Sequence, residues 1–221
     1  MTKLPPSEEM IYLDLLDRII KLVLKPGSQI SENMIAEEYK VSRSVVRNVF
    51  ARLKQMDFLT VYPQRGTFVN KINTDYIRNI LLLRTAIEKE MLYRFMKLED
   101  KSETIKKMEE NLKRQEKYCG YTEYIEGFKE LDEAFHEYIF LSVGNKDILS
   151  MISGHLLHLS RWRNVYVHSG HKVCSLINEH QLILQAIKDN DLKLAFSSMA
   201  NHIHTIEDIM DFRWENADYF E

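Results

Sequence analysis

At 221 residues the chain has room for one large domain or two small ones. Its 45% hydrophobic and 29% charged content is that of a soluble globular protein, and a net charge of −3 excludes a globally basic nucleic-acid coat. No apolar run approaches the roughly 20 residues that span a bilayer, and Met1-Thr2-Lys3-Leu4-Pro5-Pro6 lacks the apolar core of a signal peptide. The expectation is a cytoplasmic protein without a membrane partner. Few glycines and prolines among recurring Leu, Ile, Met, Glu and Lys favour helix. Cys119 and Cys174 form no CxxC pair and are expected to be ordinary reduced thiols.

Charge is unevenly placed. Residues 1–71 are net basic and 72–221 net acidic. From Lys40 to Gln55 there is no acidic residue, while Lys40, Arg43, Arg47, Arg52 and Lys54 fall in that stretch. A basic stripe on an acidic chain is the footprint of a local nucleic-acid contact, and equally the composition of a solvated helix face.

The first predicted helix runs from about Ser7 to Val23, where Ile11, Leu15, Ile19, Leu22 and Val23 repeat at helical spacing. Lys25-Pro26-Gly27-Ser28 stops it. Ser31 caps a short second helix anchored by Met34, Ile35 and Tyr39, and Ser42 can cap a third reaching about Met56. In that third helix Val45, Val46, Val49, Phe50 and Leu53 share one arc. Arg43, Ser44, Arg47, Asn48 and Arg52 take the rest, as in a recognition helix that presents its N-terminal side chains to base edges and phosphates. Two short β-like stretches follow, Leu59–Tyr62 and Thr67–Val69, joined by a basic turn at Pro63-Gln64-Arg65-Gly66. Three helices and a hairpin make a winged helix-turn-helix.

Lys25-Pro26-Gly27-Ser28-Gln29-Ile30-Ser31-Glu32, Ile35-Ala36, Val41-Ser42-Arg43-Ser44-Val45-Val46-Arg47, Arg52-Leu53 and Pro63-Gln64-Arg65-Gly66-Thr67-Phe68-Val69 stand in the order and spacing of the GntR family of bacterial transcription regulators. The resemblance covers about residues 8–70. The chain departs from the family's usual Pro-Val-Arg-Glu-Ala-Leu at Val45 and Asn48 but keeps Arg47. The resemblance implies double-stranded operator DNA as partner and marks Arg43, Arg47, Arg65 and Gly66 as contacts. With the open face of the third helix, the candidate DNA-binding set is Ser42, Arg43, Ser44, Arg47, Arg52, Arg65 and Gly66.

Residues 70–74 read as a linker. Beyond it, helices are expected near Asp75–Met96, Ser102–Lys117, Tyr121–Ser142, Lys146–Val167, Cys174–Lys188 and Leu192–Trp214, with breaks at Gly144-Asn145, Ser169-Gly170 and Asp189-Asn190-Asp191. Arg84 and Glu88 fall on the apolar arc of the first of these. They can pair with each other at i,i+4, or Arg84 can face a cavity and bind a carboxylate.

All eight histidines lie beyond residue 130. His204 is expected in solvent, His155 and His158 at the edge of their helix, and His168 and His171 in a loop. Asp132 and His136 sit among Phe128, Leu131, Phe135 and Ile139, His180 among Ile177, Ile183 and Leu184, and His202 among Ala195, Met199 and Ile206. A lone buried histidine is more often a satisfied core residue. Three of them with a buried aspartate instead suggest a divalent metal, because an ionised carboxylate on an apolar face needs a compensating charge.

Asp132-Glu133-Ala134-Phe135-His136, Gly144-Asn145, the run from Glu179-His180 to Asp191, and Ala195 through Met199 to His202 resemble the FadR-type effector domain called FCD, over about residues 75–215. That resemblance implies an antiparallel helical bundle that dimerises, a metal held by Asp132, His136, His180 and His202, and a small organic acid as effector. Zinc comes first among metals that accept imidazole and carboxylate, with manganese and nickel as alternatives.

The reading is therefore a mainly α protein: a winged helix-turn-helix over 1–70, then an all-α FCD bundle over 71–221. It is expected to be a homodimeric DNA-binding regulator, a repressor by family habit, with no catalytic residues. A small carboxylate at the metal site would control it, with Arg84 as second anchor. A direct metal sensor and a metal-dependent hydrolase are the alternatives.

Overall fold

The computed structural model describes residues 6–121, 125–168, 173–207 and 217–221. These form two compact units, 6–74 with 217–221 and 75–207. The division falls four residues later than the expected boundary, and the C-terminal segment belongs with the first unit. A backbone bridge is the reason: Ile72 pairs in parallel with Phe220, its N–H donating to the Tyr219 carbonyl at 2.8 Å.

In the first unit, α1 (Glu8–Ile20) begins at Ser7, whose hydroxyl accepts from the Met10 N–H, and carries Glu8 and Glu9 in its first turn. It ends before the expected Val23: Leu22 takes φ 61 and Val23 is exposed. α2 (Glu32–Tyr39) starts at Ser31, whose hydroxyl accepts from the Asn33 N–H, and stops at left-handed Lys40. Its buried anchors are Ile35 and Ala36, while Met34 is exposed. α3 (Arg43–Gln55) buries Val46, Val49, Phe50 and Leu53 against Ile11, Leu15 and Ile19 of α1. Each such side chain contributes about 1.5–3 kcal/mol. Ser42 occupies the N-cap position of α3 but makes no capping bond; its hydroxyl meets that of Ser44 at 2.8 Å.

The hairpin is β2 (Leu59–Tyr62) and β3 (Gly66–Val69), with Tyr62 opposite Gly66. A strand not foreseen, β1 (Gln29–Ile30), pairs antiparallel with β3 and makes the sheet order β1-β3-β2. Two residues are too few for a sequence period to register.

The second unit is helical. α4 (Thr74–Met96) and α5 (Ser102–Gln115) are followed by a 3-10 turn, Glu116–Tyr118. Then come α6 (Glu126–Ser142), α7 (Lys146–His168), α8 (Val173–Lys188) and α9 (Leu192–His204). Asp191 caps α9 by accepting from the Leu194 N–H, and Gly144 supplies a positive φ between α6 and α7. α5 packs on α6 and α8, and α8 on α9, so the apolar stripes of α6, α8 and α9 meet in one core. The expected break at Ser169-Gly170, the loop position of His171 and the run of the last helix to Trp214 lie outside the described residues.

Candidate metal centre and nucleic-acid interface

α3 presents an open basic face. Arg43 and Arg47 are exposed, each only loosely paired with Glu32 of α2 at 3.8 and 3.4 Å. Arg65 is exposed at the hairpin tip, beside the Tyr62 ring. Gly66 has φ 108, and a Cβ there would meet Gln29 Nε2 at 2.5 Å, so the turn itself requires glycine. Arg52 differs from the other arginines. Its guanidinium lies 3.7 Å over the Tyr12 ring and bonds Glu9 Oε2 at 2.7 Å, which ties α3 to α1.

The second unit gathers Asp132 and His136 of α6, His180 of α8 and His202 of α9 into one buried cluster. The three Nε2 atoms form a triangle: 3.1 Å from His136 to His202, 3.2 Å from His180 to His202 and 3.3 Å from His180 to His136. Asp132 Oδ1 lies 3.4 Å from His180 Nε2.

Each imidazole turns its other nitrogen to an oxygen. His136 Nδ1 lies 2.7 Å from Glu88 Oε2 of α4, His180 Nδ1 2.9 Å from Gln115 Oε1 of α5, and His202 Nδ1 2.8 Å from Glu179 Oε2 of α8. Those partners are themselves fixed. Glu88 bonds Arg84, Glu179 accepts from the Thr205 hydroxyl at 2.9 Å, and Gln115 donates to Asn111 Oδ1 at 2.6 Å. Phe135 stacks on the His180 ring.

At His180 and His202 the oxygen hydrogen-bonded to Nδ1 puts the ring proton there and leaves the Nε2 lone pair facing the cluster. Glu88 lies close to His136 Nδ1 without hydrogen-bond geometry, and His136 Nε2 meets the other two. Converging imidazole nitrogens beside a carboxylate repel one another unless a cation lies among them. Tetrahedral ligand–ligand edges around a divalent ion bound at about 2.0–2.2 Å fall near 3.3–3.6 Å, and the observed separations of 3.1 to 3.4 Å lie at or just below that range. The donor set fits a divalent metal.

The electrostatics agree. Burial pushes His180 and His202 well below the usual imidazole value of 6.5, the neighbouring imidazoles push the same way, and Asp132 opposes them. Both are neutral at pH 7, the form that binds metal. Burial would raise Asp132, but Arg163 of α7, bonded to its Oδ2, holds it well below the usual carboxylate range. Glu88 is held down likewise by Arg84 and His136 against its burial.

Beside the cluster lies a cavity of about 410 Å³. Arg84, Lys129 and Arg163 line it together with the carboxylates Glu88, Asp132, Glu133 and Glu137, and Phe140, Leu149 and Ile152 are among its apolar lining. Arg84 bonds Glu88, as the i,i+4 spacing allowed, and also lines this cavity.

Sequence reasoning missed Arg163, Gln115 and Glu179. Glu179 precedes a predicted ligand, and Gln115 is a polar residue on the buried face of α5, which is a detectable signal; Arg163 carries none. His204, expected in solvent, is half-buried and bonds the Thr85 hydroxyl at 3.1 Å. Cys119 and Cys174, which nothing in the sequence pairs, are brought side by side. They are 55 residues apart, so spacing held no sign of the pair.

A winged helix with a free basic face, together with a helical domain holding a buried three-histidine, one-aspartate cluster beside a cavity, defines a two-domain DNA-binding regulator. The chain belongs to the GntR family of bacterial regulatory proteins, whose family model matches residues 7–69, with an FCD domain matching residues 79–205. It is 29% identical over 212 residues to an HTH-type transcriptional regulator in an unstable DNA locus of Streptomyces ambofaciens, covering 95% of this chain and 88% of the relative. It is 27% identical over 216 residues to the HTH-type transcriptional repressor RspR of Escherichia coli K12, covering 97% and 94%. Its fold is shared with E. coli McbR/YncC, at a TM-score of 0.70, 17% identity and coverage of 94% and 98%. A GntR regulator from Rhodococcus sp. RHA1 gives 0.69, 20%, and 92% and 97%. The matched families and the curated relatives are transcription regulators, not enzymes, so the hydrolase alternative falls away. Among the described residues no helix is long and apolar enough to cross a membrane.

Proposed function

We propose that this chain is a cytoplasmic, homodimeric repressor whose operator affinity is set by a small organic acid bound at a zinc centre in its helical domain. The observation that carries the reading is the set of three imidazoles, each with Nδ1 facing an oxygen and Nε2 facing the others, opening beside a cavity with basic residues in its wall. When bound, the metal supplies a coordination position for a carboxylate. Asp132, His136, His180 and His202 hold it; Glu88, Gln115 and Glu179 orient the imidazoles; Arg84 offers a second, bidentate anchor to the acid. A dimer places two α3 helices on a pseudo-palindromic operator, with Arg43, Ser44 and Arg47 toward the bases and Arg65 and Gly66 along the backbone. Ser42 stands at the start of the same face, and Arg52 serves through its hold on α1. The acid acts by binding the DNA-competent and released arrangements unequally.

A thermal-shift screen of the full chain against small organic acids, with and without a chelator, tests this. An acid at about 100 times its Kd should add about 2.7 kcal/mol of stability. A shift that disappears with chelator and is matched by loss of operator binding supports the reading. Operator binding that follows metal alone, with no acid giving a shift, replaces it with direct metal sensing.

A further inference from the structure

Cys119 and Cys174 have no part in the metal centre, yet Cys119 follows the helix that carries Gln115, past the 3-10 turn, and Cys174 lies on the helix that carries His180. Gln115, which faces His180 Nδ1, ends α5 four residues before Cys119. Cys174 stands in the first turn of α8, six residues before His180 on the same helix. The Cα atoms of the pair are 4.2 Å apart, Cys119 is exposed and Cys174 half-buried. A DNA-binding regulator works where the chromosome is, and there thiol pools keep an accessible pair reduced until an oxidant closes it. The start of the 16-residue α8 is the positive end of its dipole, which favours the Cys174 thiolate. Lys117 adds positive charge two residues from Cys119.

We propose that Cys119 and Cys174 form a reversible oxidation site for hydroperoxides, whose closure clamps Gln115 against His180 and tightens the metal centre; the second half rests on the metal reading above. The Cys174 thiolate attacks the peroxide's terminal oxygen. The O–O bond breaks, the leaving oxygen takes a proton as water or an alcohol, and Cys174 becomes a sulfenic acid. The Cys119 thiol then attacks that sulfur, forming the S–S bond and releasing water. The two electrons lost by the dithiol reduce the hydroperoxide, and a thiol reductant returns both thiols.

The test uses the full chain, reduced without air and then treated with hydrogen peroxide. Expected are a Cys119–Cys174 cross-linked peptide that dithiothreitol reverses, and zinc held about tenfold tighter in the oxidised form. In Cys119→Ser, dimedone should trap a sulfenic acid at Cys174, while Cys174→Ser reacts far more slowly. The double serine variant should keep the melting temperature of the reduced protein and lose its response to peroxide, which separates misfolding from loss of chemistry. Failure of the cross-link to form overturns the oxidation site, trapping at Cys119 alone overturns the assignment of the attacking thiol, and a cross-link with unchanged zinc affinity overturns the coupling. If zinc binds in neither state the metal reading fails, and the cross-link alone decides the oxidation site.

Discussion

Glu179 and His202 face each other across α8 and α9, with Oε2 2.8 Å from Nδ1, and Glu179 directly precedes His180. One turn of α8 therefore supplies one imidazole and orients another. Outer acceptors of this kind fix ring tautomer and raise ligand basicity, and losing one costs about 10–100-fold in metal affinity. Glu179→Ala should weaken zinc binding in that range, measured by competition with a chromophoric chelator, and leave the helical content intact. Wild-type affinity would remove Glu179 from the centre.

Asp132 is fully buried and bonded to Arg163. Removing one member of a buried ion pair leaves the other charge uncompensated, at a cost of about 3–5 kcal/mol. Arg163→Met should destabilise the metal-free protein on that scale in urea titration. The loss should shrink once zinc is added, because a cation then balances the carboxylate. Equal losses with and without metal would show that Asp132 is not a ligand.

The arginines of α3 should separate. Arg47→Ala is expected to weaken operator binding by about 1–3 kcal/mol, with the melting temperature unchanged. Arg52→Ala, which removes the contacts with Glu9 and Tyr12, should instead lower the melting temperature. Gel-shift titration and calorimetry on both variants decide; an R47A protein with full operator affinity contradicts the recognition-helix assignment.

Acid should act on the metal-free protein in two windows. His180 and His202 are held well below 6.5 in the folded state. The unfolded chain takes up their protons near 6.5 and the folded chain does not. The unfolded state thus binds more protons in this window, and stability rises with pH across it. Melting temperature should therefore fall as pH drops below about 6.5. Asp132 and Glu88, both lowered, add a second loss below about pH 4.5. A flat profile between pH 7 and 5 would mean that the histidines are not buried and neutral.

Helix periods and caps made most of the architecture legible. The apolar arc of α3 appeared as Val46, Val49, Phe50 and Leu53, and the misplaced polar residues at 132, 136, 180 and 202 could be seen before any contact was known. Those are local signals, carried by a 3.6-residue repeat or by a cost that any buried charge incurs. Met34 read as an apolar anchor because a sequence shows hydrophobicity but not which side of a two-turn helix meets a neighbour, and Val23 did because the end of α1, where Leu22 takes φ 61, is not marked in the apolar repeat.

By itself the sequence determined the winged-helix pattern, the basic face of α3 and the four candidate ligands, because each depends on spacing along one helix or hairpin. Tertiary structure decided which distant residues serve them. It joined Gln115 to His180, Arg163 to Asp132, Cys119 to Cys174 and the 217–221 segment to Ile72. It also laid Arg52 across Tyr12. Such pairings arise from how helices pack, and residues far apart in sequence leave no periodic trace of where packing will bring them.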